Sequence, residues 1–152
     1  MTRLLVLVLL AGCAAPPNAE PDGGACPLDL VVGTTDDAFA FQSLRDGDEL
    51  KMHLGPQGGY HVYASIRATG LSRQGTISIE VDGAVGRLTG VRTLDLSTVR
   101  LEDVDCGWQR SGDAVIFEAL DVSPYRGMPA TFRFLLSGTE ADQEVSRSVT
   151  LR

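Results

Sequence analysis

Polar and apolar residues alternate along several stretches of this chain, and a period of two is typical of β-strands that bury one face. The alternation is clearest in three stretches, 61–69, 76–82 and 131–136. Apolar runs with weaker alternation predict five more strands, 28–32, 49–54, 92–101, 114–122 and 144–151. Glycine, proline, aspartate and serine cluster between these runs, as tight turns require.

No stretch shows sustained helical spacing, so the pattern predicts an all-β domain over residues 28–152. About eight antiparallel strands at this spacing are typical of an immunoglobulin-like sandwich of two sheets. A closed β-barrel is the alternative. Arg147 breaks the pattern, because it falls on the face of its strand that carries Val145 and Val149. Its position requires either a sheet edge or a buried partner.

The alternation in strand 61–69 predicts which side chains face the core and which face solvent. The polar face carries Tyr63 and Arg67, and both residue types are enriched where proteins bind partners. These two residues are therefore candidate contacts for an envelope protein or a surface ligand. The core face carries the apolar residues of the strand, Val62, Ala64 and Ile66.

The two histidines of the chain, His53 and His61, stand four residues on either side of Gln57 in a glycine-rich turn. In a hairpin closed by this turn they would lie opposite each other, with Cβ atoms about 4.5–5.5 Å apart. Two imidazoles at that distance could share a copper or zinc ion, although the nearby sequence supplies no obvious third ligand. The alternative is a pair of solvated strand histidines.

Acidic residues cluster at 36–37, 46–49 and 102–105. Such clusters could bind calcium, which takes about six to eight oxygen ligands, or supply the acids of an enzyme site. None has the spacing of a calcium-binding loop, and aspartate is also a common turn residue. The sequence therefore singles out no catalytic residue and predicts no resident cofactor.

The first thirteen residues form a separate signal. An apolar run at 4–10 follows Arg3, and it is too short to span a bilayer but long enough for a signal-peptide core. The run leads into Leu10-Ala11-Gly12-Cys13, which resembles the lipobox of bacterial lipoproteins. The resemblance implies that residues 1–12 are a signal peptide, and that cleavage before Cys13 is followed by lipidation of that residue.

The same resemblance implies a location. Ala14 stands where an aspartate often retains lipoproteins at the inner membrane, which implies an anchor in the outer membrane of a two-membrane bacterium. Residues 13–27 are rich in proline, glycine and alanine, so we expect a lipidated flexible linker there. No window of the chain is apolar for long enough to form a transmembrane helix.

The remaining cysteines, Cys26 and Cys106, are predicted to form a disulfide. Export to the cell envelope permits such a bond, and two leftover cysteines allow one pairing. The bond would join the end of the linker to the segment around Trp108.

The turn segment carries a second resemblance. The residues Asp46-Gly47-Asp48 and the run from Leu54 through Gly55-Pro56-Gln57-Gly58-Gly59 to Val62 are similar to a segment of uncharacterised bacterial surface lipoproteins with an immunoglobulin-like domain. This resemblance covers a short part of the chain. It implies the fold and no catalytic residue.

The net charge of −7, with basic residues scattered singly, argues against nucleic acid as a partner, because phosphates repel an acidic surface. Hydrolase, phosphate-loop and dinucleotide-binding motifs do not occur in the sequence. We interpret the protein as a lipid-anchored, non-enzymatic binding or structural module of the cell envelope. The alternatives are a metal-binding envelope protein using His53 and His61, and an enzyme with a site built from loop acids.

Overall fold

The computed structural model describes residues 26–83, 88–119, 121–138 and 142–152. Over these residues the chain forms one 3₁₀ turn, Ser123–Tyr125, and eleven β-strands. The strands are β1 Asp29–Thr35, β2 Phe41–Ser43, β3 Glu49–Leu50, β4 His53–Leu54, β5 Tyr60–Thr69, β6 Thr76–Gly83, β7 Thr89–Asp95, β8 Glu102–Val104, β9 Gly107–Ile116, β10 Pro129–Ser137 and β11 Gln143–Leu151. No segment in the described ranges is a helix long and apolar enough to cross a membrane. The predicted signal peptide, Cys13 and most of the predicted linker lie outside the described residues.

The strands form two sheets that pack face to face. The front sheet has the order β2-β1-β5-β9-β8, and β4 pairs with the beginning of β5. The back sheet has the order β3-β11-β10-β6-β7. All pairs are antiparallel except β3 with β11. The predicted immunoglobulin-like sandwich is confirmed, and the closed barrel is wrong because the strands form two sheets with their own edges.

The apolar faces of both sheets meet in one core. On β5 the predicted core face is confirmed, because Val62 and Ala64 are fully buried and Ile66 is 1% exposed. Ser65 departs from the alternation, since it is also buried, at the point where the register with β9 shifts. The back sheet contributes apolar residues with the same periodicity, Ile77, Ile79, Val81, Phe132, Phe134 and Leu136. Strand alternation therefore fixes which face of each long strand points outward, and the outward faces are where a functional site can lie.

The two sheets are joined by a backbone bridge at one corner. Gly90 of β7 forms an isolated bridge with Phe117, just beyond the end of β9. A Cβ atom at position 90 would lie 2.9 Å from the carbonyl oxygen of Ile116, so the approach requires glycine. This contact holds the last residue of β9 at the rim of the front sheet.

Several predicted strand boundaries are wrong. The predicted strand 49–54 is two short strands, because the chain crosses from the back sheet at Glu49–Leu50 to the front sheet at His53–Leu54. The strand predicted at 114–122 is β9, which begins seven residues earlier. The strand predicted at 92–101 ends at Asp95, whose carboxylate accepts a hydrogen bond from the Ser97 amide at 2.9 Å and starts a turn.

Arg147, whose position breaks the alternation of β11, has both a hydrogen-bond partner and a place at a sheet edge. Its Nε donates a hydrogen bond to the carbonyl oxygen of Leu44 at 3.1 Å, so the half-buried guanidinium has a partner. Strand β3 pairs with β11 only at Thr150 and Leu151, so Arg147 also lies where β11 forms the edge of the back sheet.

The predicted disulfide joins Cys26 to Cys106, with Cα atoms 5.7 Å apart. The end of the predicted linker is also held by a hydrogen bond from the Thr69 hydroxyl to the carbonyl oxygen of Pro27, at 2.8 Å. The disulfide therefore lies beside the last residue of β5, and we call this end of the sandwich the disulfide end. The opposite end, where β5 begins after the turn at 55–59, is the turn end.

Candidate functional site

The turn end of the front sheet brings the two histidines together. Strands β4 and β5 form a short hairpin in which His53 lies directly opposite His61, as the symmetry of the turn predicted. Their ring centroids are 5.7 Å apart and the ring planes differ by 22°, so the imidazoles are stacked. Val62, the residue after His61, is buried in the core, so His61 points to the outward face of the sheet. His53 points to the same face because it lies directly opposite His61.

Aromatic rings extend this pair into a cluster. The Tyr63 ring lies 4.9 Å from the ring centroid of each histidine, and the Phe39 ring packs edge-on against Tyr63 at 5.2 Å. Edge-to-face contacts of this kind stabilise aromatic pairs by about 0.5–1.5 kcal/mol beyond area burial. Tyr63 is therefore half-buried by its neighbours, and the prediction that it stands freely in solvent is corrected.

Phe39 reaches the cluster from a strained loop. Its backbone φ is +61°, a left-handed conformation that is unfavourable for a bulky residue. The Asp36 carboxylate holds the loop by accepting hydrogen bonds from the amides of Ala38 and Ala40, both at 2.9 Å. These hydrogen bonds fix the backbone around Phe39, but the residue itself is 56% exposed to solvent. Strain of this type is often found at binding sites.

An open groove of about 540 Å³ lies beside the cluster. It runs between the turn and the first residues of β5 and the last residues of β9, where Ile116 pairs with His61 and Ala114 pairs with Tyr63. Its volume falls within the range of about 300–1,000 Å³ that is typical of ligand pockets. None of its lining residues carries a formal charge: Gly55, Pro56, Gln57, Gly58, Gly59, His61, Tyr63, Ala114 and Ile116.

The glycines of the turn shape the wall of the groove. The turn closes with a hydrogen bond from the Gly55 amide to the carbonyl oxygen of Gly59, at 2.7 Å. A Cβ atom at position 55 would lie 3.5 Å from Nδ1 of His61, so the missing side chain leaves that nitrogen room. Gly58 has φ of +85°, which the turn requires and other residues rarely adopt.

A smaller polar recess of about 210 Å³ lies on the other side of the histidine pair, and His53 is part of its wall. Two ion pairs border it, Lys51 with Asp37 at 2.9 Å and Arg152 with Glu49 at 3.0 Å. The stacked imidazoles thus separate a charged recess from an uncharged groove.

The surroundings of the imidazoles keep them neutral. Burial lowers the pKa of His61 below its ordinary value of 6.5. Burial also lowers the pKa of His53, and repulsion from Lys51 and His61 lowers it further, against a smaller opposing effect of Asp37. At neutral pH each ring therefore presents one nitrogen with a free lone pair.

Tyr63 and Arg67, the two predicted partner contacts, have different environments. Tyr63 lines the groove, whereas the Arg67 guanidinium donates to Oε1 of Gln109 at 2.6 and 3.0 Å and stacks over the Phe41 ring at 4.5 Å. Arg67 is part of a side-chain network nearer the disulfide end. The groove therefore includes Tyr63 but not Arg67.

Members of two acidic clusters, Asp37 and Glu49, meet at the polar recess, where each forms an ion pair. Side chains of the clusters also hold turns and ion pairs elsewhere: Asp46 accepts from the Ser148 amide at 2.7 Å, and Asp48 from the Arg45 amide at 2.8 Å. Asp103 forms an ion pair with Arg73. In the described part of the chain, no group of three or more histidine, cysteine or acidic side chains is arranged to hold a metal ion. Calcium binding by these clusters, which the sequence raised as one alternative, thus gains no support.

Sequence reasoning missed Phe39, Ala114 and Ile116. Phe39 lies in a loop far from β5 in the sequence, and Ile116 reaches the groove only through the register of β9 with β5. The single signal for Ile116 is its place in the apolar run at 114–117.

No protein-family model and no curated protein matches this chain.

Proposed function

We propose that this protein is a non-enzymatic binding module, anchored to the cell envelope through lipid on Cys13, whose groove at the turn end binds an uncharged apolar segment of a partner envelope protein. The observation that carries the proposal is the lack of formal charge on the groove of an acidic protein. Such a surface has no formal charge to pair with a charged side chain of a partner, and apolar contact is the main interaction that it offers to a protein segment.

Exposed apolar side chains around the groove support this partner chemistry. Five large apolar residues are exposed in the described part of the chain, and three of them lie at the turn end. Ile116 is paired with His61 and Phe39 packs against Tyr63, which places both on the face of the groove. Leu54 is paired with Tyr60 and lies on the other face of the hairpin. Grouped apolar residues with an aromatic centre and a polar rim are typical of protein interaction sites.

The position of the predicted anchor fits a protein partner better than lipid. Strand β5 has ten residues, so the groove and the disulfide lie about 30 Å apart at a rise of about 3.3 Å per residue. The linker joins the domain at the disulfide end. The groove therefore lies at the end of the domain away from the attachment point of the membrane anchor.

The anchor is tested by replacing Cys13 with serine. A serine has no thiol to form the thioether, so the protein should leave the membrane fraction and lose its acyl mass in intact-mass analysis. A wild-type protein without acyl mass on Cys13 would contradict the anchor and leave the groove proposal standing.

The groove is tested with two fluorescent peptide libraries, one of uncharged Leu- and Phe-containing hexapeptides and one with Asp and Lys at the same positions. The uncharged library should contain the binders. Ile116→Asp should weaken their binding by at least about tenfold, because it places a charge in the groove. Val91→Asp is the matched control, since Val91 on the back sheet is 61% exposed and Ile116 is 62% exposed. Preferred binding of charged peptides, or equal losses in both variants, would contradict the proposal.

A further inference from the structure

The register of the β4–β5 hairpin suggests a second activity at the turn end that needs neither an anchor nor a partner protein. Cross-strand partners on one face of a sheet have Cβ atoms about 4.5–5.5 Å apart, and His53 and His61 are such partners. Hairpin closure by the turn at 55–59 fixes this register, because the Gly55 amide bonds to the Gly59 carbonyl. Both imidazoles are thus held on one rigid platform.

The ring nitrogens of His53 and His61 are free to bind a ligand. Neither imidazole forms a hydrogen bond with any group in the described ranges. Half-buried polar groups usually have partners, and the Tyr63 ring beside the two histidines supplies only its face and edge. The free lone pairs therefore remain available to an external electrophile.

The geometry fits a metal ion shared by the two rings. Metal–imidazole bonds are about 2.0–2.1 Å long, so two nitrogens bound to one ion lie roughly 3–4 Å apart. Ring centroids at 5.7 Å place both rings within reach of one ion, and rotation of the side chains would turn one nitrogen of each ring toward it. The space above Gly55 gives Nδ1 of His61 the freedom to make that rotation.

We propose that His53 and His61 chelate one Cu²⁺ ion in an open site at the mouth of the groove. Imidazole is a preferred ligand of copper, and copper binds a given nitrogen site more tightly than zinc or nickel. Two protein nitrogens leave the other tetragonal positions of Cu²⁺ to water.

The test is calorimetric titration of the full-length, metal-stripped protein in detergent with CuSO₄. We expect one Cu²⁺ per chain and a loss of at least about tenfold in affinity for each of His53→Gln and His61→Gln. Arg92→Gln, an exposed change on the back sheet, should leave the affinity within about twofold. Electron paramagnetic resonance should show coupling to two imidazole nitrogens in the wild type and to one in each variant, since the chain has no third histidine.

Binding that both histidine variants retain, or no binding by the wild type, would overturn the proposal. A second measurement keeps the test valid if a variant unfolds. In the wild-type protein, Cu²⁺ should broaden the proton resonances of both imidazoles and of the Tyr63 ring first, and broadening centred elsewhere would also overturn it. The peptide assay contains no copper, so the two proposals fail independently.

Discussion

The outward faces of the two sheets differ in chemistry although both are built by the same alternation. On the back sheet, Arg133 of β10 lies between Glu80 of β6 and Glu144 of β11 and forms ion pairs with both. On the front sheet, the turn end presents the stacked rings of His53 and His61 with Tyr63. The charged side chains of the back sheet pair with one another, whereas the turn end of the front sheet presents apolar surface and free imidazole nitrogens.

This difference indicates on which sheet a partner would gain more binding free energy. A partner on the back sheet would have to replace ion pairs that are already made, and exposed ion pairs of this kind contribute little to binding. A partner on the front sheet removes water from aromatic and aliphatic surface, which is favourable without any rearrangement of charges. The fold alone does not make this distinction, since a sandwich can host many functions.

The largest effect should come from a change beneath the front face. Ile66→Asp places an unpaired carboxylate where the native side chain is 1% exposed, and we expect a loss of more than about 4 kcal/mol in the free energy of unfolding. Urea titration followed by circular dichroism measures it. A stable Ile66→Asp variant would mean that the register of β5 is shifted by one residue, which would turn the histidines inward.

The second largest effect on stability is expected at the disulfide end. The disulfide closes a loop with a sequence separation of 80, for which chain entropy gives roughly 4 kcal/mol as an upper value. Reduction should lower the melting temperature by about 10 °C or more. Peptide binding at 25 °C should persist in the reduced protein, because the groove lies at the other end of β5. Thiol labelling that finds both cysteines free in the exported protein would contradict the bond.

The smallest effect compares the two outward faces directly. Alternation alone predicts little change for Tyr63→Asp, but the structure packs that ring against Phe39, His53 and His61. We therefore expect a loss of about 1–3 kcal/mol, because the change removes aromatic contacts. The control is Thr93→Asp on the exposed face of β7, which should cost under about 0.5 kcal/mol. Equal losses in the two variants would show that the faces do not differ in packing.

The sequence predicts the long strands well because their alternation follows directly from burial. Strands β5, β6, β10 and β11 begin and end within two residues of the predicted limits. The same reasoning predicted the pairing of His53 with His61, since a symmetric turn fixes its own register. Local patterns of this kind need no information from distant parts of the chain.

Strand β9 was misplaced because buried polar groups hide its periodicity. Asp113 is buried, and its carboxylate receives two hydrogen bonds from Arg110, at 2.7 and 2.8 Å. Gly112, with φ of +77°, lies where the register of β9 with β5 shifts. Alternation cannot show a strand whose inward positions are charged and whose register contains a bulge.

The groove itself was beyond sequence reasoning for a related reason. Its wall joins the turn and the start of β5, which are consecutive, to the end of β9, which is far from both in the chain. The position of Ile116 depends on the register of β9 and on the bridge between Gly90 and Phe117. Both are tertiary features without a local signature.

The central claim is that the uncharged face at the turn end is the binding surface, and backbone NMR during titration with an uncharged binder from the hexapeptide library tests it most directly. The account predicts the largest shift changes at the amides of Gly58, His61, Ala114 and Ile116, with β6 and β10 unchanged. Shift changes centred on Glu80 and Arg133 of the back sheet, with the turn end unaffected, would contradict it.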